Sequence, residues 1–393
     1  MRSIGVVTGS RADFGIYLPL LRLISADPSV TLSLAVTGMH LSPEFGFTLK
    51  EIEAEGFPID HRVEMLLSSD SPEGIAKSMG LGTLGFAQAF ARQLPDILVV
   101  LGDRFEMHAA AVAAVPFKVP VAHIHGGEVT EGAIDNALRH SITQLSHLHF
   151  AAIDEYGQRL IQMGEEPWRV TVSGALGLDN LRATPLIGRN ELERRIGLSL
   201  EKPPLLVTFH PVTLEYEETE RHVRELLEAL GSFDLPIVFT MSNADTGGRV
   251  ITERIRVFTQ ERPASRLVDN LGTQAYFSLM ARAAAMVGNS SSGIIEAMSF
   301  ELPVVNIGTR QTGRIRPKNV IDVGYRREEI VVGIRQALEP GMRAGLRGQA
   351  NPYGDGCAAG RILARLKTVP LDSQLLVKRW TMEPRPTQFA VRG

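Results

Sequence analysis

Five of the ten histidines in this chain fall within residues 121–149, at His123, His125, His140, His147 and His149. The same stretch holds Glu128, Asp135 and Arg139 around a Gly126-Gly127 turn, and it follows an apolar run that ends in Gly102-Asp103-Arg104. Imidazoles and carboxylates crowded at the ends of buried strands each need a partner once they leave water. They are also the groups that move protons near neutral pH. In an open α/β sheet the carboxyl ends of the strands are where ligands bind. The cluster reads as an active site built for proton transfer. The spacings His123-x-His125 and His147-x-His149, with Glu128 or Asp135, also suggest a metal set, but no His-Glu-x-x-His or cysteine pair accompanies them and no metal is expected. Alternation on a strand would turn His123 and His125 to one side. Asp103–Arg104 alone would be a structural ion pair, and Asp135 and Arg139, four apart, an ordinary helix salt bridge.

Three further segments carry anion chemistry. Gly9-Ser10-Arg11-Ala12-Asp13 closes the first apolar run and opens a helix, so Arg11 could grip a phosphate or Asp13 could merely cap the helix. Thr208-Phe209-His210-Pro211 stops a strand at a proline, which would pin His210 at a cleft edge. Gly288-Asn289-Ser290-Ser291-Ser292-Gly293 turns from a strand into a helix with three hydroxyls and exposed amides, a ready seat for a diphosphate. Glu296 falls one turn further on, where a carboxylate could accept both hydroxyls of a ribose. The loop 308–314, with Arg310 and Arg314, is placed to close over the same anion. The Gly-x-Gly-x-x-Gly fingerprint is absent, so no nicotinamide or other cofactor is expected.

Positioning these groups requires strands that end at them. Strand-like runs at 4–8, 31–37, 97–101, 119–124, 149–152 and 169–172 are followed by a second series at 205–209, 236–240, 266–268, 285–287, 304–307 and 320–323. Helical spacing separates them at 14–24, 75–93, 106–115, 135–145, 215–230 and 274–283. That alternation specifies an α/β chain with parallel sheets covered on both faces: two Rossmann-like, doubly wound domains. The glycine- and proline-rich stretch 173–204 divides them, giving domains at 1–185 and 186–370 and a surface tail at 371–393. With 393 residues, two cores are the default. A net charge of −3 argues against general affinity for nucleic acid or anionic lipid, and no apolar stretch is long enough to span a membrane. A single cysteine, Cys357, excludes an intramolecular disulfide and fits a reducing, cytoplasmic compartment.

Nine segments in fixed order, VTGSRADFG, AVTGMH, LGDRFE, HIHGGE, IDNALRHSIT, FHPVT, SNADTGG, GNSSSG and IGTRQTGR, resemble the UDP-N-acetylglucosamine 2-epimerase family, and its hydrolysing branch most, over residues 4–352. The resemblance implies a GT-B fold with UDP in the interdomain cleft and release of UDP and N-acetylmannosamine from UDP-N-acetylglucosamine. The alternatives to this main reading are the same reaction on UDP-2,4-diacetamido-2,4,6-trideoxyglucose and a GT-B glycosyltransferase, which would share the UDP-binding half. Carried over by motif, Arg11, Arg104, His210, Asn243, Ser290, Ser291, Glu296 and Arg310 would hold UDP, with Arg139 and Gly293 beside them. Asp103 and Asp135 would be the catalytic carboxylates, with His210 near the leaving phosphate. Many relatives read HIEGG, with a catalytic Glu where this chain has His125; Glu128 and His125 itself are the candidates to replace it. The family implies a homodimer or homotetramer.

Overall fold

The computed structural model describes residues 1–379 except 44–45, 68, 70, 130–133, 242–247 and 269–270. Among the described residues the strands form two wholly parallel sheets, of seven and six strands. The first comprises β1 (Arg2–Thr8), β2 (Val30–Thr37), β3 (His61–Val63), β4 (Ile97–Leu101), β5 (Val121–Ile124), β6 (Leu148–Ala151) and β7 (Val170–Val172), in the order 3-2-1-4-5-6-7. The second comprises β8 (Leu205–Thr208), β9 (Ile237–Thr240), β10 (Ser265–Val268), β11 (Ala285–Gly288), β12 (Val304–Ile307) and β13 (Val320–Val323), in the order 10-9-8-11-12-13. This is the doubly wound pair of the GT-B fold. All twelve strand runs read from the sequence are present; the short edge strand β3 is additional.

The central strands β4 and β8 are buried along their whole length, as continuous Ile/Leu/Val runs between two helical layers must be. The winding direction reverses between β1 and β4 in one sheet and between β8 and β11 in the other. Loops leaving adjacent strands at such a point diverge to opposite faces and open a crevice. The segments singled out for their chemistry leave these four strands, β5 and β12. Helix Arg11–Ala26 follows β1, with Ser10, not Asp13, as its N-cap: the Ser10 side chain accepts from the Asp13 amide at 3.3 Å.

The C-terminal stretch departs from the expected division. Helix Ala358–Thr368 packs on helix Arg11–Ala26, and Ala358, Ala359, Ile362, Leu363 and Leu366 complete the core of the first lobe, not the second. Asp179 anchors it, accepting from the Ala358 and Ala359 amides at 2.9 and 2.7 Å. Residues 371–379 run over the surface, tied to the first lobe. Buried Arg169 donates to the carbonyls of Gln374, Leu375 and Val377 at 2.9, 2.7 and 2.9 Å, and Leu375 sits in the core. Among the described residues no helix is long and apolar enough to cross a membrane.

Candidate active site

At the end of β4, Gly102 turns with φ 72, and the buried ring of His123 fixes that turn. Its Nε2 lies 2.7 Å from the Gly102 carbonyl, which only accepts, so Nε2 carries the proton and Nδ1 accepts from the Thr143 hydroxyl at 3.2 Å. Burial pushes His123 down to about 3, leaving the ring neutral. Asp103 emerges from this turn and accepts a charged hydrogen bond from Arg139, which is 3% exposed. Arg139 therefore reaches across from its helix, Asp135–Leu145, to the neighbouring strand end instead of serving only its own helix. Asp135, at the start of that helix, is raised above its ordinary value by burial and by the charge of Asp103, against the pull of Arg139, Arg310 and Arg104.

Beside them Arg104 donates to both oxygens of Glu106, at 2.8 and 3.2 Å, and lies 3.7 Å from Asp13. Glu106 is wholly buried because Gly9 and Gly38 leave it room; a Cβ on Gly38 would stand 2.7 Å from its Oε1. Burial then pushes Asp13 up to about 6, with Arg104 opposing and Glu106 adding to the rise. Arg11 is exposed on the first turn of its helix.

In the second lobe β8 and β11 approach so closely that a Cβ on Gly288, at φ 134, would meet the Thr208 carbonyl at 1.9 Å. Only glycine fits there. The next residue, buried Asn289, clamps His210: its Oδ1 accepts from the His210 amide at 2.7 Å, and its Nδ2 donates to the His210 carbonyl at 2.8 Å. The Asn289 carbonyl in turn accepts from Arg310 at 3.1 Å and Gln311 at 2.8 Å. Burial and the Arg310 charge push His210 down to about 3, so it is neutral at neutral pH. Ser290 caps the five-residue helix Ser291–Ile295, accepting from the Ser292 amide at 3.3 Å. Gly293 lies against the sheet, where a Cβ would stand 2.9 Å from Val304. Glu296 ends the helix; burial raises its carboxyl, and its Oε2 is enclosed without a hydrogen-bond partner. Asn243 lies outside the described residues.

The lobes meet through charge. His125 follows the last residue of β5 and takes φ 64, so strand alternation no longer governs its ring. Instead of sharing a side with His123, it places Nδ1 2.5 Å from Glu128 Oε1. Glu128 is 3% exposed, and its Oε2 lies 3.3 Å from Arg314 of the second lobe. Burial would raise this carboxyl, but His125 and Arg314 hold it down at about 2. Arg310 also acts across the cleft on Asp135, and within its own lobe on His210. Nearby, the Tyr156 hydroxyl lies 3.1 Å from that of Tyr353 and accepts from the Ile315 amide at 3.3 Å.

Asp103, His125, Glu128, Asp135 and Arg139 thus converge from the first lobe, and His210, Ser290, Glu296 and Arg310 from the second. Arg314, expected to cover an anion, pairs with Glu128 instead. His147 and His149 do not join the site: His149 bonds buried Glu165 at 2.9 Å, and His147 Nδ1 accepts from the Val121 amide at 3.1 Å. Sequence reasoning read Asp13 only as a possible helix cap and quoted Glu106 and Asn289 only within their segments, giving none of the three a place in the site. No group of three or more His, Cys, Asp or Glu among the described residues forms a metal set.

The family model described as UDP-N-acetylglucosamine 2-epimerase matches residues 22–367. A UDP-N,N'-diacetylbacillosamine 2-epimerase (hydrolyzing) of Legionella pneumophila is 39% identical over 96% of this chain and 99% of its own. A GDP/UDP-N,N'-diacetylbacillosamine 2-epimerase (hydrolyzing) of Campylobacter jejuni is 41% identical over 82% of this chain and 84% of its own. A UDP-N-acetylglucosamine 2-epimerase of Neisseria meningitidis is 33% identical over 87% of this chain and 89% of its own. In fold, the chain superposes on the crystal structure of a Neisseria meningitidis UDP-GlcNAc 2-epimerase bound to UDP-GlcNAc with a TM-score of 0.80, at 19% identity, over 93% of this chain and 99% of that one. On the matched span and these identities, the chain belongs to the UDP-N-acetylglucosamine 2-epimerase family, in its hydrolysing branch.

Proposed function

We propose that the protein hydrolyses UDP-2,4-diacetamido-2,4,6-trideoxyglucose, that is UDP-N,N'-diacetylbacillosamine, to UDP and the free sugar inverted at C2. The observation that carries the choice of sugar is that two relatives named for this substrate are more similar to the chain, at 39% and 41% identity, than a relative named for UDP-N-acetylglucosamine, at 33%. The second reading, the same reaction on UDP-N-acetylglucosamine, keeps the support of that 33% relative.

The chemistry follows from the substrate. The C2 proton has no neighbouring carbonyl, so a side chain cannot remove it directly at a useful rate. Breaking the C1–O bond to UDP first builds an oxocarbenium-like centre at C1, which makes the adjacent C2–H acidic. Its electrons close the C1–C2 double bond of a glycal, and water adds back with C2 inverted. Two charges need stabilising. Arg11, Arg310, neutral His210 and the amides capped by Ser290 would take the leaving diphosphate, where fixed donors need no reorganisation. Asp103, held by Arg139, and Asp135 would face the cationic ring. Arg104, Ser291 and Glu296 would orient the nucleotide, with Glu296 accepting from the ribose.

The test is product analysis in heavy water with both UDP-sugars and the GDP form of the first. The expected result is UDP and a free sugar carrying deuterium at C2, faster from the diacetamido substrate. Sugar release without deuterium would refute elimination, and faster turnover of UDP-N-acetylglucosamine would reverse the choice of substrate.

A further inference from the structure

We propose that His125 is the base that removes the C2 proton, that Glu128 is the positioning residue that sets its tautomer, and that Arg314 holds Glu128 from across the cleft. The assignment deepens the elimination proposed above and rests on it.

Four observations converge. His125 is a non-glycine residue at φ 64, an uncommon conformation that surrounding structure must sustain. The strain is maintained next to Gly127, whose φ is 77 and where a Cβ would stand 2.4 Å from the Tyr156 carbonyl, while Arg159 of the same helix donates to the Gly127 carbonyl. The loop therefore has one position. Next, His125 Nδ1 lies 2.5 Å from Glu128 Oε1. Glu128 sits between the imidazole and the Arg314 guanidinium, which favours its ionised, accept-only form. Nδ1 must then carry the proton, and in the neutral ring Nε2 presents its lone pair. Finally, His125 retains 13% exposure whereas its partner Glu128 keeps 4%, so the ring has an open side and the carboxylate has almost none. A carboxylate closed between an imidazole N–H and a guanidinium is a poor base; an imidazole with one nitrogen committed and the other available is a good one.

The charged and titratable groups around this ring come from both lobes: Glu128 on its own loop, His123 on β5, Arg139 on the adjacent helix, and Arg314 and Glu296 from the second lobe. The lobes must be together for the set to exist. Arg314 shares the loop 308–314 with Arg310, whose guanidinium is placed by the Asn289 carbonyl beside His210. A nucleotide gripped by Arg310 would thereby also fix Arg314 on Glu128, coupling diphosphate binding to readiness of the base. In the reaction, once the C1–O pair has left on UDP, Nε2 takes the C2 proton and the C2–H pair becomes the C1–C2 double bond. The imidazolium so formed is stabilised by Glu128.

The experiment uses His125→Asn, which tolerates the left-handed backbone, and His125→Gly, which also leaves a cavity. His125→Asn should lose about 10²- to 10⁴-fold in kcat, the worth of a positioned proton transfer, with UDP affinity unchanged. Imidazole added in solution should restore part of the His125→Gly rate. Glu128→Gln, which keeps shape but no longer dictates the tautomer, should lower kcat by a smaller factor with KM unchanged, and Arg314→Met should mimic it. If wild-type enzyme incorporates C2 deuterium while His125→Asn turns over at full rate, or imidazole leaves His125→Gly unaffected, the assignment falls and the reaction stands. Release of sugar without deuterium by the wild-type enzyme would defeat both.

Discussion

Replacing Asp13 by Asn should make the protein more stable at neutral pH, although it removes a charge beside an arginine. Burial raises the folded-state carboxyl from 3.8 to about 6, despite Arg104 at 3.7 Å. Below 3.8 the group is protonated in both folded and unfolded chains and contributes nothing. Between the two values the folded state holds a proton that the unfolded state has lost, so stability falls as pH rises through this window. Above 6 both states are ionised, and the folded one carries the full penalty. Each pH unit of the gap corresponds to 1.36 kcal/mol, giving roughly 3 kcal/mol in all. The side chain is only 10% exposed, so little of this is screened away. Asn keeps the shape and carries no charge to bury. Denaturant unfolding of both proteins at pH 4 and pH 7.5 tests this. The Asn variant should lie within about 0.5 kcal/mol of wild type at the lower pH and exceed it by about 3 kcal/mol at the higher. A variant less stable than wild type at pH 7.5, or a difference that does not change with pH, would refute the account of this carboxyl.

Other outcomes follow from single contacts. Arg139→Met removes the charged partner of Asp103 and should lower stability by about 1.5–3 kcal/mol; kcat should fall with it, read by unfolding and by steady-state kinetics. Gly288→Ala would place a methyl 1.9 Å from the Thr208 carbonyl, so the variant should fail to accumulate as folded protein, whereas Gly345→Ala, with nothing within 4 Å, should fold normally. Arg169→Met leaves three carbonyls of residues 374–377 without their common donor; limited proteolysis should then cut the C-terminal segment faster than in wild type.

The residues explain how far the sequence could be read. Every long apolar strand announced itself, because a strand covered on both faces is a continuous Val/Ile/Leu run. The edge strand β3, three residues with an exposed Arg62, carries no such signature. The site segments were legible as strand ends, yet their pairings were not, since pairing depends on where a side chain lands after a turn. Arg139 reaches Asp103, 36 positions away, and Glu128 and Arg314 meet only because two lobes do. The His-x-His spacing misled for the same reason. His125 lies one residue beyond the strand, and His149 bonds Glu165 in a network that Lys378 completes at 2.6 Å. Composition in the last hundred residues suggested a second domain followed by a tail, because amphipathic helices do not reveal which sheet they cover.

Helix Ala358–Thr368 has a consequence for how the polypeptide is made. The sheet that begins with β1 cannot seal its hydrophobic interior until Ile362, Leu366 and Leu375 have been synthesised. On a translating ribosome the earlier half therefore waits, its apolar surface open, while the internal half, whose strands run from Leu205 to Val323, already has every strand it needs. The second lobe can therefore order ahead of the first, whose interior closes only once residues 358–375 dock on it.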